Sequence, residues 1–442
     1  MRVAALLLLL ALVTAAGVAA VRATRPPQLR VVDARAQSIR SGDGALLGAV
    51  ESGGPARLLW VRPLTLRAVS RPLRLRERFV SDFALSPDGG TLALGSGTHG
   101  RIEFVDLRRW RSLGSMRVPG ARPSGYRGVF GLVWARERRL LALAGPPYMR
   151  AWPVVVDPVH RRVVHRSRLR GTPMRWQGAG DRLVILSTPE GDSPQPRARL
   201  LSYDAKGRLR RLHLGRIVAG SWRTGRGPWR TVEPGLAATA RRAFVVAADG
   251  RLVAEVDLRR WRRAYHQVSE ARSAWRRLGD LIEPVAHAKG PSKSAIRAAQ
   301  VLPSGTIAVT GEDQETTRSG HDVKTTAYGV RLIDPASWTW RTVDQDAQDM
   351  TAAGGVLLAR RWSCRCINAL PSIGLRGYDT VGELRFTRFA HAGVIVLGAA
   401  GDHAYVAVSR NGARRIHVID LDTGNTLRAL RYRELRLLDP DR

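Results

Sequence analysis

Cysteine is nearly missing from this chain, with two among 442 residues, Cys364 and Cys366. A disulfide framework is therefore excluded, and no C-x-x-C occurs. The pair stands in Arg361–Cys366, RWSCRC, where one intervening residue permits a strained and reducible small-loop disulfide. Free thiols are the alternative. Two thiolates with no histidine nearby make a poor metal site. H-E-x-x-H and G-x-S-x-G are also absent, which removes the motif-defined zinc protease and α/β-hydrolase. Lysine is down to four residues (Lys206, Lys289, Lys293, Lys324), so 68 of the 72 basic residues are arginine. Acidic residues number 37, leaving a net charge of +35. Arginine- and alanine-richness reflects a GC-rich coding bias. The two-to-one excess over acids additionally draws polyanions such as an anionic envelope polymer, lipid headgroups or an acidic protein. The arginines are spread along the chain rather than gathered in one run, which argues against sequence-specific nucleic acid. Aromatics make up only 6%, yet twelve of them are Trp.

What is present is a repeat. Phe79–Met116 reads as four short strands. Phe79–Leu85 is rich in strand formers, and Ser86-Pro87-Asp88-Gly89-Gly90 is a turn. Thr91–Gly95 is a short apolar run, and Arg101–Asp106 alternates with period two. A turn then leads into Trp110–Met116. We label these strands a, b, c and d. The ending of strand c returns at Trp60-Val61-Arg62, Val105-Asp106, Val156-Asp157, Tyr203-Asp204, Val256-Asp257, Ile333-Asp334, Tyr378-Asp379 and Ile419-Asp420. A Trp follows four residues after Asp106, Asp257 and Asp334, where its ring is expected to fill the widening outer part of a blade. Spacings of 40–50 residues signal a propeller or solenoid.

SPDGGTLALG…IEFVDL and HVIDLDTGNTLRAL (His417–Leu430) resemble blades of YVTN-type, WD40-like bacterial β-propellers, over most of residues 28–432. The resemblance implies an all-β fold: a single propeller over 28–435 of four-stranded antiparallel blades, eight by the eight endings, or seven if one is degenerate. It says little of activity, because such propellers include binding scaffolds, lactonases and quinone-dependent dehydrogenases.

Residues 1–23, with an apolar Val3–Val13, read as a signal peptide or an uncleaved N-terminal membrane anchor. Residues 24–27 form a linker. A secreted or otherwise extracytoplasmic location follows, with membrane contact only through an uncleaved leader. The long connections are all b–c (Ser187–Ala198, Gly311–Thr326, Arg360–Ile373) or blade-to-blade (Pro119–Arg127, Gly215–Thr231, Val268–Ser294). Both kinds open on one end of the ring, where scaffolds carry function; cheap loop growth is the competing explanation. Within 268–294, Ser269–Glu283 has an N-cap Ser and a helical apolar spacing, so a short helical insert is expected. Gly311–Thr326 reads as a polar, solvated loop.

Candidate binding residues on this face are His99, Trp222, Trp229, Trp275, Asp313, Glu315 and His321. Gly95–Gly100 matches G-x-G-x-x-G but precedes a strand, so a b–c loop is expected rather than a dinucleotide site. Asp344–Asp349 and Asp420–Gly424 look faintly like calcium loops but lack the later bidentate Glu. No catalytic residue, cofactor or metal is assigned. The expectation is a monomeric, non-enzymatic binding scaffold for a protein or an anionic cell-envelope polymer. The rival is a lactonase-like hydrolase or quinone-dependent oxidoreductase with an axial site.

Overall fold

In a computed structural model, residues 29–30, 39–50, 54–78, 80–97, 99–120, 128–135, 138–145, 151–189, 195–223, 229–270, 292–316, 323–361, 373–431 and 435–438 are described. Every regular element among them is a strand. The strands form eight sheets, one per blade. Blade 2 runs Val80–Leu85, Thr91–Ser96, Arg101–Asp106 and Arg111–Arg117, within a residue of the expected boundaries. Blades 3, 4, 5, 7 and 8 repeat this antiparallel a-b-c-d order. All eight anticipated endings close a third strand. The fold is an eight-bladed β-propeller, and the seven-blade alternative is set aside.

Blade 1 shows how the ring closes. Its strands b and c are Leu46–Val50 and Arg57–Val61. Its inner strand comes from both ends of the propeller: Arg40–Ser41 pairs with one end of strand b, and Leu435–Leu437 pairs with the other. Ile39 and Leu438 join the two pieces by a backbone hydrogen bond of 3.0 Å. Leu435, Leu437 and Leu438 are buried, each contributing about 2 kcal/mol of apolar burial.

Hydrophobic packing is divided among eight clusters, each drawn from two adjacent blades. A sheet buried on both faces needs apolar residues on both, which is why strands such as Leu140–Ala144 are continuously buried.

The Asp-x-x-x-Trp pattern acts across a seam between blades. Trp110, Trp261 and Trp338 have φ of 51°, 56° and 53°, a left-handed conformation that is costly for a bulky residue. Each ring reaches back to strand d, or its approach, in the preceding blade. Trp110 Nε1 donates to the Arg71 carbonyl at 2.7 Å, and Trp261 Nε1 to the Arg211 carbonyl at 3.1 Å. Trp338 stacks on His266 with centroids 3.7 Å apart. In blade 3 the same position is Arg161, φ 51°, whose guanidinium donates to the Leu113 carbonyl at 2.9 Å. The ring thus clasps the neighbouring blade, where the sequence suggests it fills its own. We expect Trp261→Phe, which keeps the ring and loses the donor, to cost about 1 kcal/mol. Trp261→Ala should cost roughly 2–3 kcal/mol, since the ring is half-buried. Thermal melts of the two variants check both.

The Asp ending strand c caps its own turn. Asp257 accepts from the Arg259 and Arg260 N–H groups at 2.8 and 2.9 Å. The carboxyls of Asp257, Asp334 and Asp420 are held below the usual range, chiefly by turn N–H groups of Arg260, Ala336 and Thr423. Asp157 is lowered chiefly by its hydrogen bond to His160. In Asp204 burial acts upward, but the Arg208 N–H and guanidinium outweigh it. A carboxyl lowered in the fold stabilises it fully above its unfolded value near ~3.9 and ceases to as pH falls through the folded value. The contribution of these carboxyls to the melting temperature should therefore be level above about pH 5 and be lost below about pH 4. Asp257→Asn with Asp334→Asn should flatten that acid limb, and an unchanged limb would remove these turns as its source.

Candidate functional site

On the end of the ring carrying the b–c and blade-to-blade connections, blade 6 rises above its neighbours. Its strands a and b, Ser292–Val301 and Ile307–Thr316, are each ten residues long. Only their lower parts belong to the blade, where Ile307–Val309 pairs with Val330–Asp334. Above Gly311 the pair continues, with Val323–Ala327 on its far edge. Arg230–Glu233, from the blade 4-to-5 connection, pairs in parallel with Lys293–Ile296 on the near edge, and Gly220–Trp222 lies beyond that strand. The result is a raised mixed sheet on blade 6, its near edge built from the chain entering blade 5. The described residues of the polar segment Gly311–Thr326 are thus strand. Its Thr and Gln residues and the alternation Asp313/Glu315 against Glu312/Gln314 suit a two-sided ribbon.

Trp222, Trp229, Asp313 and Glu315 come together here. Trp222 is 9% exposed and Trp229 50%, with the Arg223 guanidinium 5.4 Å from the Trp229 ring centre. Asp313 and Glu315 share one face. Glu315 meets Lys293 at 2.6 Å, which lowers its pKa chiefly through that hydrogen bond. Asp313 meets Arg297 at 2.7 Å. On the other face Glu312 accepts from Gln314 at 2.6 Å and from Gln348, on the approach to blade 7, at 3.1 Å.

Beneath the sheet lies a group that sequence reasoning missed. Arg297, 3% exposed, also donates to the Ile296 and Glu312 carbonyls, and its guanidinium lies 3.8 Å from the Tyr328 ring centre. Arg331 lies 3.9 Å from the same ring and donates to the Tyr328 hydroxyl at 3.0 Å. Burial chiefly raises the Tyr328 pKa. Among 68 arginines nothing in the sequence marks Arg297 as buried. A signal exists in Gly250 of blade 5: a Cβ there would stand 2.0 Å from the Tyr328 hydroxyl.

His99 stands apart on blade 2, four blades round the ring. Its Nδ1 is 2.7 Å from Glu77 Oε2, which also accepts from the Ser96 hydroxyl at 2.9 Å. Ser96 bonds Glu77 directly, so these three do not form a nucleophile–base–acid relay. Burial raises the pKa of neighbouring Glu103, which accepts from the Arg76 N–H and the Ser112 hydroxyl. In the G-x-G-x-x-G match, Gly95 serves packing: a Cβ there would stand 2.3 Å from the Val129 carbonyl of blade 3. In Asp344–Asp349, guanidiniums occupy the positions a cation would take. Arg376 lies 3.0 Å from Asp344 and 3.3 Å from Asp346, and Arg361 lies 2.9 Å from Asp346.

Inner-strand polar groups are tied across seams. Asp82 accepts the Leu132 N–H and Gln177 the Ala238 N–H. Arg175 pairs with Glu233 at 3.0 Å, and Asp349 with Arg360 of its own blade. Among the described residues no group of three or more His, Cys, Asp or Glu is placed to hold a metal ion. Trp275, His321, Cys364 and Cys366 lie outside the described residues, as does most of the expected helix. Ser269–Glu270 forms a short strand parallel to Thr339–Trp340 of blade 6 rather than a helix start.

No family model matches the sequence, and no curated protein matches it. Among solved structures, the chain is similar to dihydro-heme d1 dehydrogenase NirN in complex with DHE at 13% identity, with a TM-score of 0.55, covering 93% of this chain and 78% of that one. It is also similar to apo AztD from Citrobacter koseri at 10% identity, with a TM-score of 0.47, covering 89% and 97% of the two chains. A likeness at this identity speaks to the propeller fold and not to chemistry.

We expect Arg297→Ala to cost about 2 kcal/mol locally, the scale of charge-assisted hydrogen bonds. Hydrogen exchange should quicken in 292–296 and 312–316 while blades 2 and 8 keep their protection. Uniform loss of protection would instead make Arg297 a support of the whole ring.

Proposed function

We propose that the chain is an extracytoplasmic, non-enzymatic binding scaffold that seats a partner protein on the raised sheet of blade 6. The resemblance of its repeat turns to YVTN-type bacterial propellers accords with this reading, and its leader-like first residues support export. The observation that carries it is the raised sheet itself. Two blade strands are prolonged beyond their own blade, joined by strands from two other connections and held down by a buried arginine. Such a platform is rigid, and it carries a half-exposed tryptophan beside an arginine, the residue types enriched at binding hot spots. Its carboxylates are engaged by basic or amide side chains, as suits a recognition surface rather than general acid–base chemistry.

The test is capture from native envelope extract on immobilised protein, washed at low and then high salt. A partner retained at high salt by the parent protein and lost with Trp229→Ala plus Arg223→Ala is the expected result. Truncating hot-spot side chains of this kind typically costs about 2 kcal/mol or more. Release of everything by salt would leave only long-range charge attraction and sink the docking surface.

A further inference from the structure

The positive charge is unevenly distributed round the ring. Residues 118–218, spanning blades 3 and 4, carry 20 Lys and Arg against 6 Asp and Glu, net +14. Residues 341–442, spanning blades 7 and 8, carry 15 against 11, net +4. Among the described residues, every arginine–aromatic contact falls between Trp152 and Trp340, on blades 3 to 6.

At the blade 3 end of this arc, on the same end of the ring as the raised sheet, is a groove of about 260 Å³ lined by Ala151, Trp152, Arg168 and Leu169. The Arg166 guanidinium lies 4.9 Å from the Trp152 ring centre. Arg211 and Arg199 donate to the Arg168 and Arg170 carbonyls at 3.4 and 3.2 Å, which brings two more guanidiniums over the same stretch of backbone. Arg166, Arg168, Arg170 and Arg211 are exposed, and none of these five arginines is paired with a carboxylate among the described residues. One aromatic wall with unneutralised guanidiniums around it matches a ligand with an apolar ring face and an anionic substituent. A sugar ring bearing a carboxylate, sulfate or phosphate has both. A single nucleic-acid strand asks for successive open stacking platforms. Here Trp152 is the one ring among the residues lining the groove.

We propose that the Trp152–Arg168 groove binds an anionic polysaccharide, with one sugar ring against Trp152 and its acidic group held by Arg168 and its neighbours. This inference rests on the scaffold reading for the face it uses, but not on the raised sheet's partner.

The test is titration of the full chain with a decagalacturonate at about 0.15 M salt, where long-range attraction is screened beyond ~8 Å. A neutral glucan and an oligodeoxythymidylate of the same length are run beside it. Polyuronate should bind and the neutral glucan should not. Arg168→Gln and Trp152→Leu should each weaken polyuronate binding about tenfold or more. Arg428→Gln, on the outer strand of blade 8, should change it less than about twofold. Thermal melts confirm that each variant is folded. Equal effects of Arg168→Gln and Arg428→Gln would reduce the binding to bulk charge and overturn the groove. Displacement of polyuronate by the oligodeoxythymidylate at equal or lower concentration would overturn the glycan assignment. Salt-resistant protein capture that depends on Trp229, together with no polyuronate binding, would remove this inference and leave the scaffold reading standing.

Discussion

Every blade of this protein is buried on both faces by its neighbours, and no blade has a core of its own. Stability is therefore a property of the closed ring. Eight seam clusters replace a single core, and each exists only while both adjoining sheets are in place. The seam between blades 8 and 1 depends on Leu435–Leu437 lying beside Leu46–Val50. Without that strand, blade 1 would expose an unpaired edge and the apolar side chains of two sheets. The remaining features, from turn chemistry to surface charge, are built on this closure.

Closure also changes how the arginine excess is read. A guanidinium has five donors in a rigid fork and can bond backbone carbonyls that no carboxylate neighbours. The outer strands of a propeller diverge, and their carbonyls face a widening gap. Arginines span it repeatedly: Arg161 reaches from blade 3 to blade 2, Arg210 from blade 4 to blade 5, and Arg388 from blade 7 to Gly424 of blade 8. Lysine, a single ammonium on a flexible stem, serves less well there. Much of the +35 is thus structural, and the share proposed for a ligand, on blades 3 and 4, is distinguished by meeting no carboxylate among the described residues.

The repeat was legible because its signals are local. An Asp closing strand c caps the turn within three residues, and a Trp or Arg four residues on fixes the seam clasp, so both survive in sequence as a spacing. The one-sided placement of the long connections followed from strand counting, and it led to Trp222, Trp229, Asp313 and Glu315. The raised sheet was not legible as a sheet. GEDQET and VKTTA look solvated because they pair with each other as a polar ribbon, while the strands that extend it into a sheet, Ser292–Ile296 and, parallel to that strand, Arg230–Glu233, lie farther off in sequence. Arg297 was invisible for a different reason: burial is set by Tyr328 and Gly250 around it, and residue type alone does not reveal it. His99, grouped with the others as a face residue, stands on the opposite side of the ring and is held by Glu77.

Gly311 marks where the blade ends and the raised sheet begins. Its φ is 154°, and a Cβ there would stand 2.0 Å from the Ile296 carbonyl of the partner strand. The two strands pair at close backbone distance at this point, and the Tyr328 N–H returns to the Gly311 carbonyl at 2.9 Å. Below it the ribbon is apolar and packed in the ring; above it, side chains alternate between two polar faces. A flexible loop grafted at this site would order only on binding and lose affinity to that ordering. Prolonging strands that the ring already holds rigid avoids most of that loss, since the direction and twist of the platform are inherited from blade 6. The close pairing at Gly311 and the buried Arg297 opposite it are what that inheritance requires of the sequence.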